Sequence, residues 1–148
     1  MTTPFPAGKG TLAGDDEPLP MADRAETREI LCARELDTKL QLYAAYVRGI
    51  HERIAPLFTL LIQAGPDLGE VLETGEQERL TAVTSFVTHL HEAGTLAPDA
   101  DRVRTADALW ALAGPQLYTQ LTIGRGWSPD TYEEWLAATL TATLVRGI

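Results

Sequence analysis

Apolar residues recur along this chain at alternating spacings of four and three, most clearly at Leu36, Leu40, Tyr43, Val47, Ile50, Ile54, Leu57 and Leu61. That spacing lays a single apolar stripe down a helix, so a long helix buried on one side is predicted here. Pro56 falls inside the run. Proline removes a backbone donor, and its ring presses on the carbonyl four residues earlier, that of Glu52, so a kink or break is expected. Gly65 and Pro66 end the element. Upstream, residues 21–33 read as a shorter helix with an acidic start, followed by a break at 34–37.

A further helical stretch starts at Asp67, with an interruption expected near Gly75, and carries Leu80, Val83, Phe86, Val87 and Leu90 to a stop at Gly94. Asp101 is placed to cap the next helix, which holds Val103, Ala106, Leu109, Trp110 and Ala113 until Gly114 and Pro115 punctuate it. Leu117, Tyr118 and Leu121 continue the pattern to Gly124. The last helix, 129–146, is apolar at Tyr132, Leu136, Leu140 and Leu144, with Ala137, Ala138 and Ala142 beside that stripe. No segment makes a convincing strand. The pattern predicts an all-α fold of about five to six helices over 21–148, after a flexible Pro- and Gly-rich segment over 1–20.

The turn before the last helix is heavily marked. Gly124 and Gly126 bracket Arg125, and glycine takes the left-handed conformation that ends a helix without a Cβ clash. Ser128 offers an N-cap hydroxyl, Pro129 is pre-set for the first helical position, and Asp130 faces the positive end of the helix dipole. Trp127 and Tyr132 stand at the two positions of a hydrophobic staple.

With Trp110, Pro115, Leu117, Tyr118, Trp135 and Leu136, these residues spell a W…P-x-L-Y…RGWSP-x-x-Y-x-x-WL pattern. In it, residues 105–148 resemble the C-terminal end of a TetR-like transcriptional regulator of the actinobacterial type. A second match, AGDDEPLPMADR at 13–24, looks like the segment that leads from the DNA-binding domain into the effector domain of such regulators. The resemblance implies an effector-binding and dimerisation domain, a homodimer, and a repressor's role. In that family the last two long helices pack against their copies as a four-helix bundle about a twofold axis. The dimer interface it implies is Leu117, Leu121, Trp135, Leu136, Leu140 and Leu144; the alternative is that these large apolar residues fill the monomer's own core. DNA would be reached only through a helix-turn-helix, for which the residues before Ala13 leave almost no room. Pro4, Pro6, Pro18 and Pro20 break the first twenty residues, and Lys9 is their lone base, so this stretch supplies neither helices nor a phosphate-binding face.

A candidate ligand site follows from the long helix. Tyr43, Val47, Ile50, His51, Ile54 and Phe58 lie on adjoining faces and mix bulky apolar surface with polar tips, as small-molecule sites do. A break at Pro56 would leave a cavity between this helix, the Phe86 region and the Trp110 to Tyr118 stretch, where the resemblance places a small apolar effector. The competing reading is a filled core in which tyrosine hydroxyls reach the edge or each other and His51 is a hydrogen-bonded histidine at the core's edge.

Composition narrows the classes. The chain has 148 residues, 45% apolar and 22% charged, the profile of one globular domain able to bury roughly two-thirds of its unfolded surface. A net charge of −9 works against nonspecific DNA binding, which phosphate neutralisation drives. Cys32 is the lone cysteine, so no internal disulfide is possible, no zinc spacing exists, and a cytoplasmic location is expected. No apolar run reaches the ~18 to 20 residues of a membrane span, and no signal-peptide layout opens the chain.

Catalysis finds no constellation. His89 and His91 are two apart and so point to different faces of a helix. The GxG at 124–126 follows no strand, and Asp15, Asp16, Glu17, Glu133 and Glu134 read as solvated charge. No catalytic, metal or cofactor residues are assigned. The expected function is a ligand-sensing, dimerising regulatory domain; the alternative is a ligand-free dimerisation module that pairs with full-length regulators.

Overall fold

A computed structural model describes residues 25–147. The Pro- and Gly-rich segment 1–20, the match at 13–24 and the helix start at Met21 lie outside the described residues. The elements are α1 (Ala25–Cys32), α2 (Leu36–Gln63), a 3₁₀ turn (Gly65–Leu68), α3 (Gly69–Glu92), α4 (Arg102–Leu112), α5 (Pro115–Thr119) running into a π turn (Gln120–Gly124), and α6 (Pro129–Arg146). There is no strand among the described residues, and the fold is all-α. None of these helices is long and apolar enough to cross a membrane.

The helix ends form where local chemistry dictates. Ser128 Oγ accepts from the Thr131 amide at 3.1 Å, and Asp101 Oδ1 accepts from the Arg104 amide at 3.0 Å. Each satisfies one of the amides that a helix start leaves without a partner. Gly94, at φ 71°, closes α3 in a Schellman turn: its amide reaches His91 O at 3.0 Å and that of Thr95 reaches Leu90 O at 3.1 Å. At the other marked turn only Gly126 is left-handed, at φ 73°; Gly124 instead ends the π turn. Trp127 meets Trp135, with ring centroids 6.0 Å apart, and Trp135 meets Tyr132 at 6.1 Å. The expected Trp127 and Tyr132 staple is therefore bridged by a third ring.

No break occurs at either of two expected positions. α2 runs unbroken through Pro56; the proline and Glu52, whose carbonyl loses its partner, are both exposed, so the missing bond falls on the solvent side of the helix, where its cost is low. α3 likewise runs through Gly75, which is buried and so lacks the exposed backbone that weakens a mid-helix glycine. The buried face of α2 is Leu40, Tyr43, Ala44, Val47, His51, Phe58 and Leu61. Leu57, placed on the stripe by its spacing, is 44% exposed. A strict four-three repeat drifts by ~20° per heptad on a straight helix, which carries Leu57 ~60° from Leu36.

α6 lies along α2, α3 packs on α4, and α1 packs on α2. The core gathers Leu40, Tyr43, Val47, Val83, Phe86, Leu90, Leu109, Tyr118, Tyr132, Leu136, Leu140 and Leu144. Two arginines tie helices together. Arg48 of α2 bonds Glu52 at 2.5 Å, Asp130, and Glu133 at 3.3 Å, clamping α2 to the first turn of α6. Arg79 of α3 donates to Trp110 O at 2.5 Å and to Glu76 at 2.7 Å.

Candidate ligand site

The centre of the bundle is an aromatic cluster. Tyr43 stacks on Phe86 with centroids 4.5 Å apart and planes 12° from parallel. Tyr118 meets Tyr132 edge-on at 4.8 Å. His51 faces both, 5.4 Å from the Tyr118 ring and 6.3 Å from the Tyr132 ring. All five are buried, Tyr132 and Phe86 completely. Val47 is buried in the same core, and Trp110, half-buried, packs against it with the Arg79 guanidinium 4.7 Å from its ring centre. Of the residues expected in the pocket, the structure thus joins Tyr43, Val47, His51, Phe86, Trp110 and Tyr118. Ile50 and Ile54 are only half-buried, and Phe58 is buried outside this cluster. With α2 unbroken at Pro56, the cavity expected from a break there loses its premise.

Hydrogen bonding sets the chemistry of the cluster. His51 Nε2 lies 2.7 Å from Ala113 O. A carbonyl only accepts, so Nε2 carries the hydrogen and Nδ1 is a bare acceptor. Burial pushes His51 down to about 4, against the pull of the Ala113 bond, so the ring is neutral at pH 7. Burial also raises Tyr43, Tyr118 and Tyr132 above the usual phenol value, which keeps all three hydroxyls protonated. Four polar atoms here are buried without a hydrogen-bond partner: His51 Nδ1, Tyr132 Oη, Arg79 Nε and Trp110 Nε1. Native interiors leave few such atoms, because each costs the desolvation of an unmade bond. One is an acceptor, two are donors, and the Tyr132 hydroxyl can be either. An uncharged group with a hydroxyl or carbonyl could complete them.

Tyr132 and Arg79 were absent from the expected site. Arg79 stands on the α3 stripe, four residues before Val83, and a charge at a stripe position was the available signal. Spacing places Tyr132 on the apolar stripe of α6 and at the staple, but nothing local marks its hydroxyl as buried without a partner.

The expected dimer residues divide. Leu136 and Leu140 are 0% exposed and Leu144 is 3% exposed, so their own chain covers them. They belong to the subunit core, and their assignment to an intersubunit seam is corrected. Leu117, Leu121 and Trp135 are half-buried. The open face of α6 is instead Thr131, Glu134, Ala138, Ala142, Val145 and Arg146, all exposed.

Among the described residues no three His, Cys, Asp or Glu side chains gather as metal ligands. No protein-family model, curated protein or solved structure was found to match the chain.

Proposed function

We propose that this chain is the ligand-sensing and dimerising domain of a TetR-family regulator, taking a small, uncharged, largely apolar effector at the Tyr43, His51, Tyr118 and Tyr132 cluster. The observation that carries the reading is that four side chains in and around one aromatic cluster, His51, Tyr132, Arg79 and Trp110, each keep a buried polar atom without a hydrogen-bond partner. That is the composition of a small-molecule site: mostly apolar walls with a few polar groups that fix orientation. The cluster draws residues from α2, α3, α4, α5 and α6, so an occupant that favours one arrangement of these helices shifts the population toward it.

Dimerisation is assigned to the open face of α6. An antiparallel pair centred at the level of Leu140 sets Ala138 against Ala142 of the second copy, Trp135 against its Val145, and Glu134 against its Arg146. Small residues at the centre permit close approach, and opposite charges close both ends. A ligand-free dimerisation module is the second reading, favoured by the direct stacking of Tyr43 on Phe86 at 4.5 Å, which shows part of the core closed by its own side chains.

A thermal-shift screen against lipophilic alcohols, phenols and ketones, with light scattering at micromolar concentration, separates these. Saturable stabilisation of a dimer supports sensing. A dimer that no compound stabilises supports the second reading, and a monomer contradicts both.

A further inference from the structure

Lys39 is 1% exposed, an unusual place for an ammonium group. Its Nζ donates to Ile30 O at 3.1 Å and Leu31 O at 2.9 Å, and it lies 2.9 Å from His89 Nε2. Ile30 and Leu31 sit in the last turn of α1, where carbonyls lack intrahelical partners and the dipole is negative. A single side chain of α2 therefore fastens the end of α1 to α3. The docked α1 buries Thr27 and Ile30, each 1% exposed.

The contact between Nζ and Nε2 requires a lone pair on one of the two nitrogens. When Lys39 is an ammonium, His89 is the Nδ1–H tautomer and its Nε2 accepts. When Lys39 is a neutral amine, its two N–H bonds still serve Ile30 and Leu31, and its lone pair accepts from Nε2–H. When both groups are protonated, hydrogen faces hydrogen and two cations meet in a buried site. The pair survives the loss of a proton but not the gain of one.

We propose that Lys39 and His89 form an acid-sensitive latch, which holds α1 against the bundle while His89 is neutral and releases it when His89 gains a second ring proton. Besides Lys39 on α2, the groups that act on the pair are Glu92 on α3, which favours the imidazolium, and Cys32 at the end of α1, which acts on Lys39. The Phe86 ring stacks on His89 at 6.4 Å. Burial, then Lys39, hold His89 below its ordinary value, so the docked state is the one that sheds the proton. Docking is complete above the ordinary histidine value near 6.5. It weakens as pH falls below that value, and the loss levels off once the lower, docked value is passed. Release would uncover Ile30, so acid exposes apolar surface on α1 and on the groove it leaves.

Hydrogen exchange of the full chain, corrected for intrinsic rates, tests this by following the α1 amides between about pH 7.5 and about pH 5. In the native chain their protection should fall by up to about tenfold per pH unit below the ordinary histidine value, the limit for one proton. Because His51 also titrates in acid, the readout is the difference from His89→Gln, whose amide oxygen accepts from Lys39 at every pH. That variant should lack the acid-dependent loss at α1. Lys39→Met should lose α1 protection at both pH values while α6 stays protected. An equal acid response in native chain and His89→Gln overturns the latch, as does full α1 protection in Lys39→Met.

Discussion

His51 donates its Nε2 hydrogen to the carbonyl oxygen of Ala113 at 2.7 Å, and that one bond decides the chemistry of the buried cluster. It joins the middle of α2 to the end of α4, and it leaves Nδ1 as an acceptor with no partner. A histidine at this depth is held neutral by the cost of burying its cation.

Stability should therefore fall in acid. His51 has a native value of about 4 against an ordinary 6.5, so the native state binds the proton less well than the unfolded chain. The stabilisation is complete above pH ~6.5 and is lost as pH falls toward ~4. Urea unfolding at about pH 5 should show a loss of about 2 kcal/mol relative to neutral pH through this group. His51→Gln, which keeps an amide donor for Ala113, should show a loss smaller by that amount. An identical pH profile in the two proteins would remove His51 from the acid response.

Ser128→Ala should lower stability by about 1 kcal/mol, the usual value of a cap whose side chain accepts a backbone amide. The midpoint of chemical denaturation, with m unchanged, is the measurement. Asp101→Ala should behave alike at the start of α4.

Those caps were legible in the sequence because capping is local. Ser128, Asp101 and Gly94 act on amides and carbonyls within five residues, and no distant element can reassign them. Pro56 and Gly75 do not break their helices, because the cost of each depends on which side of the helix faces water. Leu136, Leu140 and Leu144 were legible as a buried stripe, with the subunit's own core and an intersubunit seam as the alternatives, since periodicity does not say which body covers an apolar face. Lys39 and Arg79 both sit on buried stripes, four residues before Tyr43 and Val83. They escaped notice because charged residues are ordinarily assigned to the surface.

Leu140→Ala and Ala138→Arg should separate core from interface. Truncating Leu140, 0% exposed, should cost about 2 to 5 kcal/mol of folding stability. Ala138→Arg changes an exposed residue, so stability of the monomer should move by less than about 0.5 kcal/mol while the proposed dimer dissociates. Light scattering and urea unfolding on both variants check the pair; a dimer that survives Ala138→Arg would place the seam elsewhere.

Gly114→Ala should loosen the junction of α3 with α4 and α5. A Cβ there would meet Gln116 Oε1 at 2.6 Å and Arg79 Nη2 at 3.0 Å. Gln116 is exposed and swings away, whereas Arg79 is pinned to Glu76 and Trp110 and must shift. A change in tryptophan fluorescence and a loss of about 1 kcal/mol are expected.

The most direct test of ligand sensing is a comparison of the native chain with Tyr132→Phe, using the compound that stabilises the native chain most in the screen. Without ligand, Tyr132→Phe deletes a buried hydroxyl that has no partner, so stability should stay level or rise by about 1 kcal/mol. With ligand, its binding should be weaker by about tenfold, the worth of one lost hydrogen bond in this setting. Equal binding by the two proteins would put the ligand outside the cluster, and a screen with no saturable stabilisation would contradict sensing itself.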